Sequence, residues 1–204
     1  MDCAELVSFI HLRTTSSYSF KYGTTQPSDL VAQASRFDMP ALALTDRDGL
    51  AGAIRFTKAA VAHGIAPIIG VNLAIRIGDT SGALPRVTVL AHGDGGWRSL
   101  VRLMTGLQMN SPDRTPVLTP ELLEKFSSYT SQLHLLHGPE SPVSQALTAH
   151  RFDAALTIFN QTRDLFADHA IECVSHLAPG NGPRSTAHAA RSLIFARDND
   201  IDAV

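Results

Sequence analysis

Nine histidines among 204 residues raise the question of metal chemistry. A hydrolytic metal centre needs several neutral imidazoles and carboxylates converging on one point, since their lone pairs hold the cation that activates a water. His11 and Asp46 are well placed for that, each at an apolar run that reads as a strand. Asp46 and Asp48 flank Arg47, and two carboxylates at a strand end can bind a divalent cation. Arg47 competes for their charge, so the favoured reading is a salt-bridged turn with Asp48 capping the next helix. His134 and His137 lie three apart on a strand and point to opposite faces. His63, His150, His169 and His188 fall on or beside helical patterns, where solvent-facing or capping roles are the ordinary ones. Arg13 and Arg86 read either as anion hooks or as surface charges. No glycine-rich phosphate loop, nucleophile elbow or paired-cysteine motif occurs; Gly93-Asp94-Gly95-Gly96 reads as a helix-start turn.

The elements that must position these residues alternate. Strands are expected at Phe9–Leu12, Ala41–Thr45, Ile65–Ile75, Val87–Ala91, Leu133–Leu136 and Ile171–Leu177. Helices are expected at Pro27–Phe37, Leu50–His63, Trp97–Met109, a short segment from Thr119, Ser141–Ala149, Phe152–Phe166 and Ser185–Arg197. Asn110–Pro120 reads as a polar loop. The almost wholly apolar run Ala41–Thr45 suits a parallel strand covered on both faces. Strand–helix alternation predicts βα units in a parallel sheet or barrel, with reactive residues at the C-terminal strand ends. Those ends fall near His11, Asp46, Asn72, His92, His137 and His176. A last strand begins at Ile201 as the sequence stops, which predicts a truncated domain filling residues 1–204.

Bulk properties narrow the function classes. Apolar residues make up 44% and charged residues 18%, which predicts a sizeable core rather than disorder. Seventeen basic and nineteen acidic side chains give a net charge of −2, without the basic excess of a nucleic-acid binder. Cys3 and Cys173 match no zinc spacing and read as reduced thiols. The acidic start lacks a signal peptide's basic end, and Ala66–Ile75 is half the ~20 residues of a membrane helix. A cytoplasmic protein without membrane contact is expected.

Several segments together resemble the PHP (polymerase and histidinol phosphatase) domain that begins bacterial DNA polymerase III alpha subunits and error-prone DnaE-like polymerases. They are Phe9-Ile10-His11-Leu12-Arg13, Ser17-Tyr18-Ser19, Met39 to Asp46, Leu50 to Ala60 and Gly64 to Gly70. A weaker likeness continues through Val87–Ala91 and Ile171-Glu172-Cys173. The resemblance implies a distorted (β/α)7-type barrel with mostly parallel strands. It also implies a site with up to three metal ions that removes phosphate or nucleotides from DNA ends.

The sequence departs from that family's ligand pattern. His11 and Asp46 match it. Arg13, Thr15, Tyr22, Arg47, Asn72 and Arg86 stand where the resemblance implies histidines or acidic residues, and Pro139 where it implies cysteine or histidine. Arginine has no lone pair for a metal and stays protonated. A non-catalytic remnant site with no cofactor is therefore expected, with weak Zn²⁺, Mn²⁺ or Mg²⁺ binding by His11 and Asp46 as the alternative. A phosphoesterase or 3'-5' exonuclease with residual activity, and an anion-binding module using Arg13, Arg47 and Arg86, are further alternatives. The implied partners are the palm and thumb of the remaining polymerase chain, DNA through that polymerase, and a proofreading subunit.

Overall fold

The computed structural model describes residues 9–77, 82–111, 115–163, 165–166, 168–173 and 176–204. The chain divides into two compact units, Met1–Val71 and Asn72–Val204.

In the first unit, α1 (Pro27–Arg36) opens on a proline, whose missing N–H costs nothing in a first turn. It leads to β1 (Ala41–Arg47), α2 (Ala53–Ala62) and the start of β2 (Ala66–Ile75). Ala53, Phe56 and Ala60 recur at helical spacing and form the buried stripe of α2. Val31 and Ala34 of α1 join Leu42, Leu44, Phe56, Ala60 and Ile65 in one core. The first six residues of β1 are buried, as a strand covered on both faces requires. Gly64 adopts a left-handed φ of 70° just past α2, and Gly64 and Ile65 donate backward to Val61 and Ala60 to close the helix end.

Two expectations fail here. Phe9–Leu12 is not a strand. Ala43 donates to the His11 carbonyl and Thr45 to that of Thr14. Two steps on β1 thus face three on the incoming chain, and the extra residue breaks the ladder. Asp48 does not cap α2, because it turns with φ 57° and the cap is Gly52, without a side-chain bond.

In the second unit, the end of β2 is followed by β3 (Arg86–Ala91), α3 (Gly93–Met109), β4 (Val117–Leu118) and α4 (Pro120–Lys125). Then come β5 (Leu133–His137), α5 (Pro142–Thr148), α6 (Phe152–Arg163), β6 (Asp168–Ile171), α7 (Thr186–Asp198) and β7 (Asp202–Ala203). The strand order is β2-β3-β5-β6-β7, with β4 also beside β2. The β2·β4, β5·β6 and β6·β7 ladders are parallel, whereas β3·β5 is antiparallel. The fold is α/β with a mostly parallel sheet, left open at β7 by hydrogen bonds among the described residues.

Thr119, Ser141 and Ser185 cap α4, α5 and α7 through their side-chain oxygens. Leu100, Leu103, Met104 and Leu107 give α3 its buried stripe. Val143, Ala146, Leu147, Ala155, Phe159, Ile171, Phe195 and Ala196 form a core between α5, α6, α7 and β6. α3 begins four residues earlier than expected. A Cβ on Gly96 would lie 2.7 Å from the Gln132 carbonyl oxygen, so glycine lets this first turn close against the chain entering β5. β4 lies inside the expected polar loop, whose residues 112–114 are outside the described residues. β6 forms upstream of the expected Ile171–Leu177 strand. Among the described residues, no helix is long and apolar enough to cross a membrane.

Phe56 is fully buried, whereas Phe37 is 65% exposed. Phe56→Ala is expected to cost about 3–5 kcal/mol in urea unfolding, and Phe37→Ala less than about 0.5 kcal/mol.

Candidate functional site

β1 ends on Asp46 and Arg47, which fixes the first unit's candidate residues. Asp46 is 3% exposed, so each carboxylate oxygen needs a donor in place of water. Oδ1 accepts from the Ser16 N–H and the Ser19 hydroxyl, both at 2.7 Å, and Oδ2 from the Ser16 hydroxyl at 2.7 Å. The Ser19 oxygen also accepts from the Arg47 N–H at 2.8 Å, and the Ser16 oxygen from the Tyr18 N–H at 3.2 Å. The chain around these serines is tightly wound. Tyr22 and Gly23 both donate to the Ser19 carbonyl. A Cβ on Gly23 would sit 2.1 Å from the Ser16 carbonyl oxygen, a space no side chain can share.

Arg47 lies over the Tyr22 ring, its guanidinium carbon 3.7 Å from the centroid. That separation is a close cation–π contact. His11 is exposed, and its ring meets Phe9 edge-on at 4.8 Å. Arg13 and Thr15 are half-buried. Serine groups donate to the Asp46 carboxylate, a set of contacts that the residue types did not signal.

In the second unit, Asn72 and Arg86 are each 7% exposed. Arg86 Nε donates to Asn72 Oδ1 at 2.5 Å, and a terminal nitrogen donates to the Asn72 carbonyl at 2.6 Å. Asn72 Nδ2 donates to Thr88 Oγ1 at 3.4 Å. The buried guanidinium thus takes two oxygens from one residue in a fork that lysine cannot reproduce. Arg86 is neither an open surface charge nor an exposed anion hook. Pro139 is buried beyond the end of β5.

Two of the histidines, His169 and His188, depart from expectation. His134 is partly exposed and His137 fully buried, as alternation predicts. His169 belongs to β6 and is 8% exposed, with Nε2 3.1 Å from the Arg163 carbonyl. His188 is also buried, its ring between the hydroxyls of Thr148 and Ser192, each at 3.2 Å. Burial holds its basicity below the ordinary histidine value, and Arg191 adds to this. His176 lies 3.4 Å from Glu172. Burial pushes the Cys173 thiol up to about 11, with Glu172 adding to the effect, so it stays a thiol.

His137 stands at one of the expected strand ends, but its surroundings were not legible from residue types. Neither ring nitrogen has a hydrogen-bond partner, and the ring packs against Phe159 and His169 at centroid distances of 5.4 and 6.0 Å. Burial, with His169 adding to it, pushes this imidazole down to about 3. Serine hydroxyls as carboxylate partners were also missed, because serine carries no charge signal. Among the described residues, no three His, Cys, Asp or Glu side chains gather as a metal-holding group.

Two outcomes follow for stability. Asp46→Ala removes the acceptor of three buried donors and is expected to cost about 3 kcal/mol in urea unfolding, with Asp46→Asn costing less. The His137 imidazole has its folded value depressed, so the unfolded chain binds the extra proton. Its contribution is therefore complete above the unfolded value near 6.5 and is lost as pH falls toward about 3. The urea midpoint is expected to drop between pH 7 and pH 4.5, and His137→Leu to lessen that drop.

The PHP domain model matches residues 11–176. An error-prone DNA polymerase from Corynebacterium efficiens is 38% identical over 126 residues, covering 60% of this chain and 11% of that protein. An error-prone DNA polymerase from Mycolicibacterium paratuberculosis is 32% identical over 199 residues, covering 93% of this chain and 18% of that one. The chain thus spans between about a tenth and a fifth of the length of these relatives. Among solved structures, an amidohydrolase from Chromobacterium violaceum, with bound sulfate and no metal, superposes with a TM-score of 0.57 at 14% identity. It covers 95% of this chain and 84% of that one, a likeness of fold. The match over residues 11–176 places the chain in the PHP domain family.

Proposed function

We propose that this chain is the N-terminal PHP domain of an error-prone, DnaE-like DNA polymerase, and that it serves as a structural part of that polymerase rather than as a metal-dependent phosphoesterase. The polymerase context is supported by the two relatives, both named error-prone DNA polymerase. The non-catalytic role is supported by one observation above all: five residues at the implied ligand positions, Tyr22, Asp46, Arg47, Asn72 and Arg86, are engaged with each other or with serines. Tyr22 and Arg47 stack, Arg86 forks onto Asn72, and the Asp46 carboxylate accepts from Ser16 and Ser19.

These groups do not fit the family's metal cluster. A cation beside Asp46 would have to displace serine donors from a buried carboxylate. A cation beside Asn72 would meet the fixed positive charge of Arg86, which repels it and offers no lone pair. Without a bound cation, no water is brought near neutral pKa for attack on a phosphoester. What remains is a domain whose core stays folded around its former site and whose surface serves contacts within the longer chain. The implied partners are the polymerase palm and thumb, DNA through that polymerase, and a proofreading subunit. Anion binding by Arg13, Arg47 and Arg86 is the weaker reading, since Arg47 lies on Tyr22 and Arg86 is fixed by Asn72.

The test is release of phosphate or nucleotide from single-stranded and primed DNA ends with Mn²⁺ or Zn²⁺. The 204-residue chain is expected to show no release above the metal-only control. Metal-dependent release abolished by His11→Ala would establish the residual enzyme instead.

A further inference from the structure

A second group, His92 and His134 with Asp168, gathers on the sheet of the second unit. β3 and β5 run antiparallel, with Leu90 opposite His134, and β5 and β6 run parallel, with His134 opposite Asp168. The His92 N–H donates to the Gln132 carbonyl at 3.1 Å, which carries the β3·β5 pairing one step past Ala91. His92 and His134 are therefore diagonal neighbours on one face of the sheet. Asp168 continues the row on β6. Six residues of strand separate His92 from Arg86, about 20 Å at the usual rise per residue. This group therefore sits at the opposite end of β3 from the Asn72–Arg86 pair.

The geometry points to a weak transition-metal site made by His92 and His134, with Asp168 positioning His134. Three observations carry it. Asp168 Oδ2 lies 3.2 Å from His134 Nδ1. A carboxylate only accepts, so the proton sits on Nδ1 and the Nε2 lone pair is left for a cation. The His92 and His134 ring centroids are 5.3 Å apart, with planes inclined by 57°. Two imidazoles bound tetrahedrally to one ion, at nitrogen–metal distances of about 2.1 Å, have centroids about 5 Å apart. The rings thus already stand at the separation one shared ion would impose. His92 is exposed and His134 partly so, so neither a buried cavity nor an entry path has to open.

The chemical class is set by the donors. Neutral imidazole selects zinc, nickel, cobalt or copper over magnesium, calcium or manganese. No third His, Cys, Asp or Glu completes the shell among the described residues, so water fills the other positions and binding is weak. The site is independent of the reading under Proposed function. It has a bearing on that reading, however, because metal bound at this end of β3 can be mistaken for metal at the family's site.

Titration of the 204-residue chain with Ni²⁺ and with Zn²⁺, followed by calorimetry at pH 7.5, tests the assignment. One equivalent is expected to bind, weakened at least tenfold by His92→Ala or by His134→Ala. Asp168→Asn is expected to weaken it about tenfold, the usual cost of losing such an orienting partner. Mg²⁺ is expected not to compete, and His11→Ala to leave binding unchanged. Circular dichroism melts of the variants confirm folding, since these side chains lie at the surface. No binding at millimolar metal, or binding indifferent to His92→Ala and His134→Ala, would overturn the assignment. Binding lost in His11→Ala would overturn the proposed non-catalytic role instead.

Discussion

A buried carboxylate must be given donors, and in the first unit that need organises the chain. Asp46 lies near the end of a strand that opens on four buried apolar residues, Ala41 to Leu44. Its charge has to be met by groups that the fold supplies. Ser16 and Ser19 meet it with three short hydrogen bonds from a segment about thirty residues away in sequence. Those bonds hold the incoming chain against β1 where the regular ladder has been broken by an extra residue. Gly23 then has to be glycine, because the tightened turn leaves no room for a Cβ beside Ser16. One electrostatic requirement thus fixes the path of residues 14–23.

The same principle bears on the proposed loss of a metal site without loss of the fold. Losing a cation leaves buried acceptors without a partner, and placing one arginine there leaves a buried charge without one. Each change alone is costly, because unmatched polar groups in the interior forfeit hydration without replacement. Changes made as pairs avoid this. Arg86 with Asn72 supplies both a donor fork and its acceptors. Arg47 with Tyr22 places a cation on an aromatic face. The proposed structural role rests on this exchange of metal charge for fixed protein charge.

Much of the fold is legible in the sequence because its signals are local. Proline and serine at helix starts, Gly64 after α2 and the apolar run of β1 all act where they stand. The misses are places where distant groups decide. Phe9–Leu12 has strand composition, yet its register against β1 slips by one residue. α3 starts early because Gly96 meets the chain entering β5, which no local rule reveals. The site was half legible. Residue types showed that Arg13, Arg47 and Arg86 cannot hold a cation. They did not show that serines would serve Asp46, nor that His137 would be buried without a partner, nor that strand pairing would bring His92 beside His134.

The most direct measurement of the central claim is anomalous diffraction from crystals of this domain soaked in Mn²⁺ and in Zn²⁺. Exchange of metal for internal partners predicts no anomalous peak beside Asp46 or Asn72, with the serine bonds and the Arg86 fork intact in the soaked crystals. A cluster of peaks at coordination distance from His11 and Asp46, with Ser16 and Ser19 displaced, would contradict it.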